Sequence, residues 1–139
     1  MPPEEASGAD SARRAEGIAA YASQFGLSEE ETGPYMDELL GPAMAEEAQH
    51  AAAAAWRQGG ALSRRDRSLA VIAALVTQGG VDARLRGHLR WAPENGVTRA
   101  ELDELMTLLA VYVGYPKASV GMEALRDELG GLGPGEGEG

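Results

Sequence analysis

Apolar residues recur along the middle of the chain at intervals of three and four, and no stretch alternates apolar with polar residues between turn dipeptides. This is the rhythm of helices packed on one face, so the fold class it predicts is all-α. Helices are expected near 11–24, 34–40, 43–57, 63–78, 81–92, 99–113 and 117–129. Their starts carry recognisable chemistry: Ser28 with Glu31 and Thr98 with Glu101 have capping-box spacing, and Ser63 with Asp66 marks another start. Gly114 followed by Pro116 reads as one helix stopping and the next beginning.

The faces of these helices differ. Leu69, Val71, Ile72, Leu75 and Val76 spread around most of the circumference of the helix from Ser63, which suits a central position or a subunit contact. In the next helix Val81, Leu85, His88, Leu89 and Ala92 form one stripe, so His88 points toward the core face while Arg84, Arg86 and Arg90 lie off its centre. Leu102, Leu105, Met106, Leu109 and Val113 make a similar stripe, widened by Leu108 and Val111; so much apolar surface in a small chain predicts self-association. A length of 139 residues suits one domain, expected over 11–129. Residues 1–10 and 130–139 are too polar and glycine-rich to fix a backbone, and both ends are expected to be disordered.

A formal charge of -10 argues against a nucleic-acid partner, because phosphate binding draws on clustered Lys and Arg. Much of the acid is terminal, however, and the arginines gather between Arg57 and Arg99, which leaves room for a small anionic ligand. The chain has no cysteine, which removes disulfides, thiolate metal sites and thiol redox chemistry. No run approaches the roughly 20 apolar residues of a membrane span, and the amino terminus lacks the basic start and apolar core of a signal peptide. The expected location is cytoplasmic. Of the two imidazoles, neither His50 nor His88 has a second ligand at metal spacing on its face, so no metal is expected.

Three groups of residues have chemical potential. Arg64-Arg65-Asp66-Arg67 opens a helix, where arginine opposes the helix dipole. Arg64 and Arg67 share a side with Val71 and Leu75, and either clamp a carboxylate or pair with acids inside the protein. His88 has an ordinary pKa suited to proton transfer near neutrality, though a lone histidine on an apolar face is more often packed core. Tyr112 and Tyr115 flank Gly114 and either line a pocket or pack.

Taken together, Arg64-Arg-Asp-Arg-Ser-Leu69, Leu85-Arg-Gly-His88, Asn95-Gly-Val-Thr98 with Glu101 and Glu104, and Val111-Tyr-Val-Gly-Tyr-Pro116 resemble the carboxymuconolactone decarboxylase family in order and spacing. The resemblance covers roughly Trp56 to Leu125. It implies an all-helical, alkylhydroperoxidase-like fold that assembles into ring-like trimers or hexamers, with sites between helices near subunit contacts. One branch of the family reduces peroxides through Cys-x-x-Cys-x-x-x-His. Matching its histidine to His88 puts its cysteines at Val81 and Arg84, so that branch is excluded here.

The other branch implies a lyase that removes carbon dioxide from a carboxylated muconolactone or a β-keto-acid-like relative without metal or organic cofactor. On that resemblance His88 is the catalytic acid/base, Arg64 or Arg67 orients the small anionic substrate, and Trp56 and Tyr112 are pocket walls. The approach Trp56-Arg-Gln-Gly-Gly-Ala-Leu62 departs from the family's Trp-x-Arg-Pro-Gly-Leu-like run and lacks the acid that precedes it. A specialised-metabolism cyclase or isomerase on the same scaffold, and a non-catalytic oligomeric binding protein, therefore stand as alternatives. Pro93 also departs from the family, and the His88 helix should bend or end there.

Overall fold

The structure, a computed structural model, describes residues 3–131. Its regular elements are all helical: α1 (Pro3–Phe25), α2 (Glu29–Leu40), α3 (Pro42–Ala55), α4 (Arg64–Gln78), α5 (Asp82–Trp91), a 3-10 turn (Ala92–Asn95), α6 (Arg99–Tyr112) and α7 (Tyr115–Leu129). Among the described residues no helix is long and apolar enough to cross a membrane.

Two boundaries differ from those expected by more than two residues. Helix α1 begins at Pro3, reaching into the segment 1–10 for which no fixed backbone is expected; proline at a first helical position brings a suitable φ and has no N–H to lose. Helix α2 begins at Glu29 and not at 34, because Ser28 caps it, its Oγ accepting from the Glu31 N–H at 3.1 Å. Pro34 thus stands inside the helix and forfeits one backbone bond, while Gly33 before it has no Cβ to meet the proline ring. At the other end Gly130 closes α7 through its N–H on the Arg126 carbonyl, and residues 132–139 of the expected tail lie outside the described residues.

Where length suggests one domain over 11–129, the chain divides into two compact units, Met1–Ala61 and Leu62–Gly139. The first is built from α1 to α3 on small side chains: Ala22, Ala45, Ala52 and Ala53 are buried beside Met36. Small residues let helices approach closely, and a Cβ on Gly17 of α1 would lie 1.7 Å from the Gln49 carbonyl oxygen of α3. Gln49 is itself buried, its Oε1 accepting from Arg14 Nε at 3.0 Å.

The second unit has a larger aliphatic core. Ile72 and Val76 of α4, Leu85 and Leu89 of α5, Leu102, Met106 and Leu109 of α6, and Leu125 of α7 form one buried cluster. Charge pairs fasten its outside. Arg86 meets Asp82 at 2.8 Å and Asp127 at 3.2 Å, and Arg90 meets Glu128 at 2.9 Å, tying α5 to α7. Arg65 pairs with Glu101 and joins the start of α4 to the start of α6. Thr98 completes the predicted capping box: its Oγ1 accepts from the Glu101 N–H at 3.1 Å, and Glu101 Oε1 accepts from the Thr98 N–H at 3.0 Å. Thr98→Ala is expected to lower stability by about 1 kcal/mol, whereas Thr98→Ser should stay near wild type. Urea unfolding midpoints check this, and an alanine variant as stable as serine would contradict it.

Candidate functional site

The start of α4 meets the end of α5 within the second unit. Ser63 caps α4, its Oγ accepting from the Asp66 N–H at 3.0 Å, and this sets the direction in which the arginines leave the helix. Arg64 turns inward. Its Nε donates to Asn95 Oδ1 at 3.1 Å, and its guanidinium carbon lies 5.2 Å from the centroid of the Trp91 ring, over the indole face. Its companions turn elsewhere: Arg65 to Glu101, and Arg67 back on its own helix start, with Nε donating to the Leu62 carbonyl at 3.1 Å. One turn on from Arg64, Ser68 is wholly buried, and its Oγ has no hydrogen-bond partner among the described residues.

His88 of α5 is a second neighbour of the same indole. Its ring is 6.0 Å from that of Trp91, tilted by 54°, and Nδ1 is sealed from solvent. Burial holds the imidazole below the ordinary histidine pKa of 6.5 by penalising its charged form, so it is neutral at pH 7. The geometry brings together a guanidinium and a neutral imidazole that share an indole as neighbour, with a buried carboxamide behind the guanidinium. Such a set can hold an anion and move a proton.

Pro93 makes this meeting happen. As the sequence leads one to expect, α5 stops at Trp91; the chain continues as the 3-10 turn, and Gly96 takes a left-handed φ of 90°. The reversal carries Asn95 back to the start of α4. Sequence reasoning missed Asn95 and Trp91 as site residues, although Trp91 follows His88 at i+3 and Asn95 opens a segment that carries the family resemblance.

Of the other expected site residues, Tyr112 is not among these contacts, and Trp56 is described within its own unit. Tyr112, the last residue of α6, is 82% exposed, and Tyr115 is 75% exposed. Trp56 belongs to the first unit, where it caps the end of α3 with its N–H on the Ala52 carbonyl. Of the positions matching the peroxidase cysteines, Val81 is the N-cap residue of α5 and Arg84 is exposed. Val81 lines an apolar cavity of about 270 Å³ with Leu75, Leu85, Pro116, Lys117 and Val120. Lys117 at its rim donates from Nζ to the Thr77 carbonyl at 2.7 Å. This cavity lies toward the far end of α4, roughly 16 Å along the helix axis from Arg64, and its lining includes neither Arg64, His88 nor Tyr112. Among the described residues no three His, Asp or Glu side chains converge as a metal site would require.

The family pattern lies over these elements. The 4-carboxymuconolactone decarboxylase of Acinetobacter baylyi is 40% identical over 78 residues, covering 56% of this chain and 57% of that protein. The match thus spans little more than half of the curated relative's length. No solved structure matches the chain. The sequence model described as "Carboxymuconolactone decarboxylase family" matches residues 42–127, which include α3 to α6 and most of α7. On that match, this chain belongs to the carboxymuconolactone decarboxylase family.

Proposed function

We propose that the protein is a lyase that removes carbon dioxide from a small carboxylated lactone or a β-keto-acid-like relative, using its own side chains without a cofactor. The observation that carries this reading is the approach of Arg64 and His88 to a common neighbour, Trp91. When the carboxylate departs, the electron pair of its carbon–carbon bond passes into an enolate or dienolate, and a proton must then reach carbon. Arg64 is the group to steady the developing oxyanion. His88 delivers the proton as an imidazolium, returns to the neutral form and is recharged from water.

The lowered pKa of His88 fits this sequence of events. In the free protein the ring is neutral at pH 7. An anionic substrate beside it favours the charged form again, so the proton is loaded as the substrate arrives. The test is carbon dioxide release from 4-carboxymuconolactone by the purified protein. Release at a rate that falls in Arg64→Ala is expected; no release from the lactone or its close analogues would overturn the lyase reading. The altered approach Trp56-Arg-Gln-Gly-Gly-Ala-Leu62 favours a second reading, a cyclase or isomerase on the same scaffold, which predicts no turnover of the lactone.

The protein acts in this reading as a homo-oligomer, a trimer or hexamer. What supports it is the apolar row Leu108, Val111, Tyr112 and Tyr115, each more than half exposed where α6 passes into α7.

A further inference from the structure

We propose that the cavity beside Val81 is a binding site for a small apolar carboxylic acid, whose hydrocarbon body fills the cavity and whose carboxylate meets Lys117 at the rim. Binding there does not depend on the reaction proposed for Arg64 and His88, neither of which lines the cavity. The walls are Leu75 and Val76 of α4, Val81 and Leu85 at and beyond the start of α5, and Val120 of α7. Between α4 and α5 the chain passes the cavity as Gly79 and Gly80, both with left-handed φ (68° and 71°), and puts no side chain into it. Apolar walls in contact with water are unfavourable, and a hydrocarbon group lying against them covers them. An apolar cavity of about 150 Å³ takes benzene, so the roughly 270 Å³ here has room for a ring that bears a short chain.

The rim selects the head group. Lys117 is the one lysine of the chain. Its ammonium has three donors and gives one to the Thr77 carbonyl at 2.7 Å. Among the described residues no carboxylate forms an ion pair with it. Asp82, the acid on the same rim, is engaged by Arg86 of its own helix, its Oδ2 accepting from Nε at 2.8 Å. The lysine also stands in the first turn of α7, where a cation opposes the helix dipole, so the stability of α7 gives little reason for it. Both α5 and α7 begin at the cavity, and neither has a side-chain cap, so the positive ends of two helices add to the attraction for an anion. Apolar walls with a cation at the edge match a hydrocarbon that ends in a carboxylate.

Calorimetric titration of the full chain with 3-phenylpropanoate tests this, beside 3-phenylpropan-1-ol and 3-phenylpropylamine, which keep the hydrocarbon body and change the head group. The acid is expected to bind about fivefold more tightly than the alcohol, the effect of one partly exposed ion pair, and the amine more weakly than either. Lys117→Met should bind acid and alcohol alike. Val81→Phe and Val120→Trp, which fill the cavity, should each weaken binding of the acid about tenfold or more, while Arg64→Ala should bind it as the wild type does. Thermal melts identify a variant that fails to fold. The second filling variant then stands in for the first, and the wild-type comparison of the three head groups stands in for Lys117→Met. No binding of the acid at millimolar concentration, an alcohol or amine that binds as tightly as the acid, or a folded Lys117→Met protein that keeps the preference would each overturn the inference. Wild-type binding in a folded filling variant, or binding lost in Arg64→Ala, would do the same.

Discussion

His88→Ala is expected to lower the rate of carbon dioxide release by about 100- to 10,000-fold, the range over which a positioned acid or base contributes. The pH dependence should identify the proton that is lost. Burial holds the His88 pKa below 6.5 in the free protein, and the proposed reaction needs the protonated ring. The value of kcat/KM, which reports the free enzyme, should therefore fall as the pH rises through that lowered pKa. The corresponding fall in kcat belongs to the complex and should lie at higher pH, because the bound anion favours the imidazolium. A flat kcat/KM profile with an active His88→Ala enzyme would remove histidine from the chemistry.

The same lowered pKa affects stability with the opposite sign. Between the folded pKa and 6.5 the unfolded chain binds more protons at this position than the folded protein does, so acidification through this window favours unfolding. Stability should rise with pH there and level off above 6.5, and the His88 share of that rise should be missing from His88→Ala. Denaturation midpoints at several pH values measure it.

Gly17→Ala is expected to destabilise the first unit by about 1–3 kcal/mol, the ordinary range for overpacking, or more if the helices cannot separate. The added Cβ would fall 1.7 Å from the Gln49 carbonyl oxygen and 2.5 Å from its carbon, both of them backbone atoms of α3. No rotamer change relieves such a contact; α1 and α3 must move apart, disturbing the Arg14 bond to Gln49. Gly8 of the same helix is the control. Nothing lies within 4 Å of its added Cβ, so Gly8→Ala should be neutral or stabilising by up to about 1 kcal/mol. Unfolding midpoints of the two variants should move in opposite directions, and a Gly17→Ala protein as stable as wild type would contradict the close approach.

Local chemistry is legible in the sequence where it acts locally. Ser63 and Thr98 cap the helices that their spacing predicts, Pro93 ends α5, and Gly114 with Pro116 separates α6 from α7. At the start of α2 two signals compete: the spacing of Ser28 to Glu31 marks the true start, while Pro34, which resembles a first helical residue, stands inside the helix. The site is legible only in part. Helical geometry puts Arg64 and Arg67 on one side, but their ends are settled by partners, Asn95 and the Leu62 carbonyl, which no helical period encodes. The cavity beside Val81 escapes the sequence for the same reason: its walls come from the ends of three helices.

The 3-10 turn between Trp91 and Gly96 makes the reach of Asn95 a question of register. One residue added to or removed from a 3-10 turn swings the residues after it by about 120°, which would carry the carboxamide away from Arg64 and turn Val97 out of the core. A stretch with Pro93, Glu94 and Gly96 exposed like any loop is thus intolerant of changes in length. A change of length here would act on two things at once, the Asn95 bond to Arg64 and the packing of Val97, which enters the core directly after the turn.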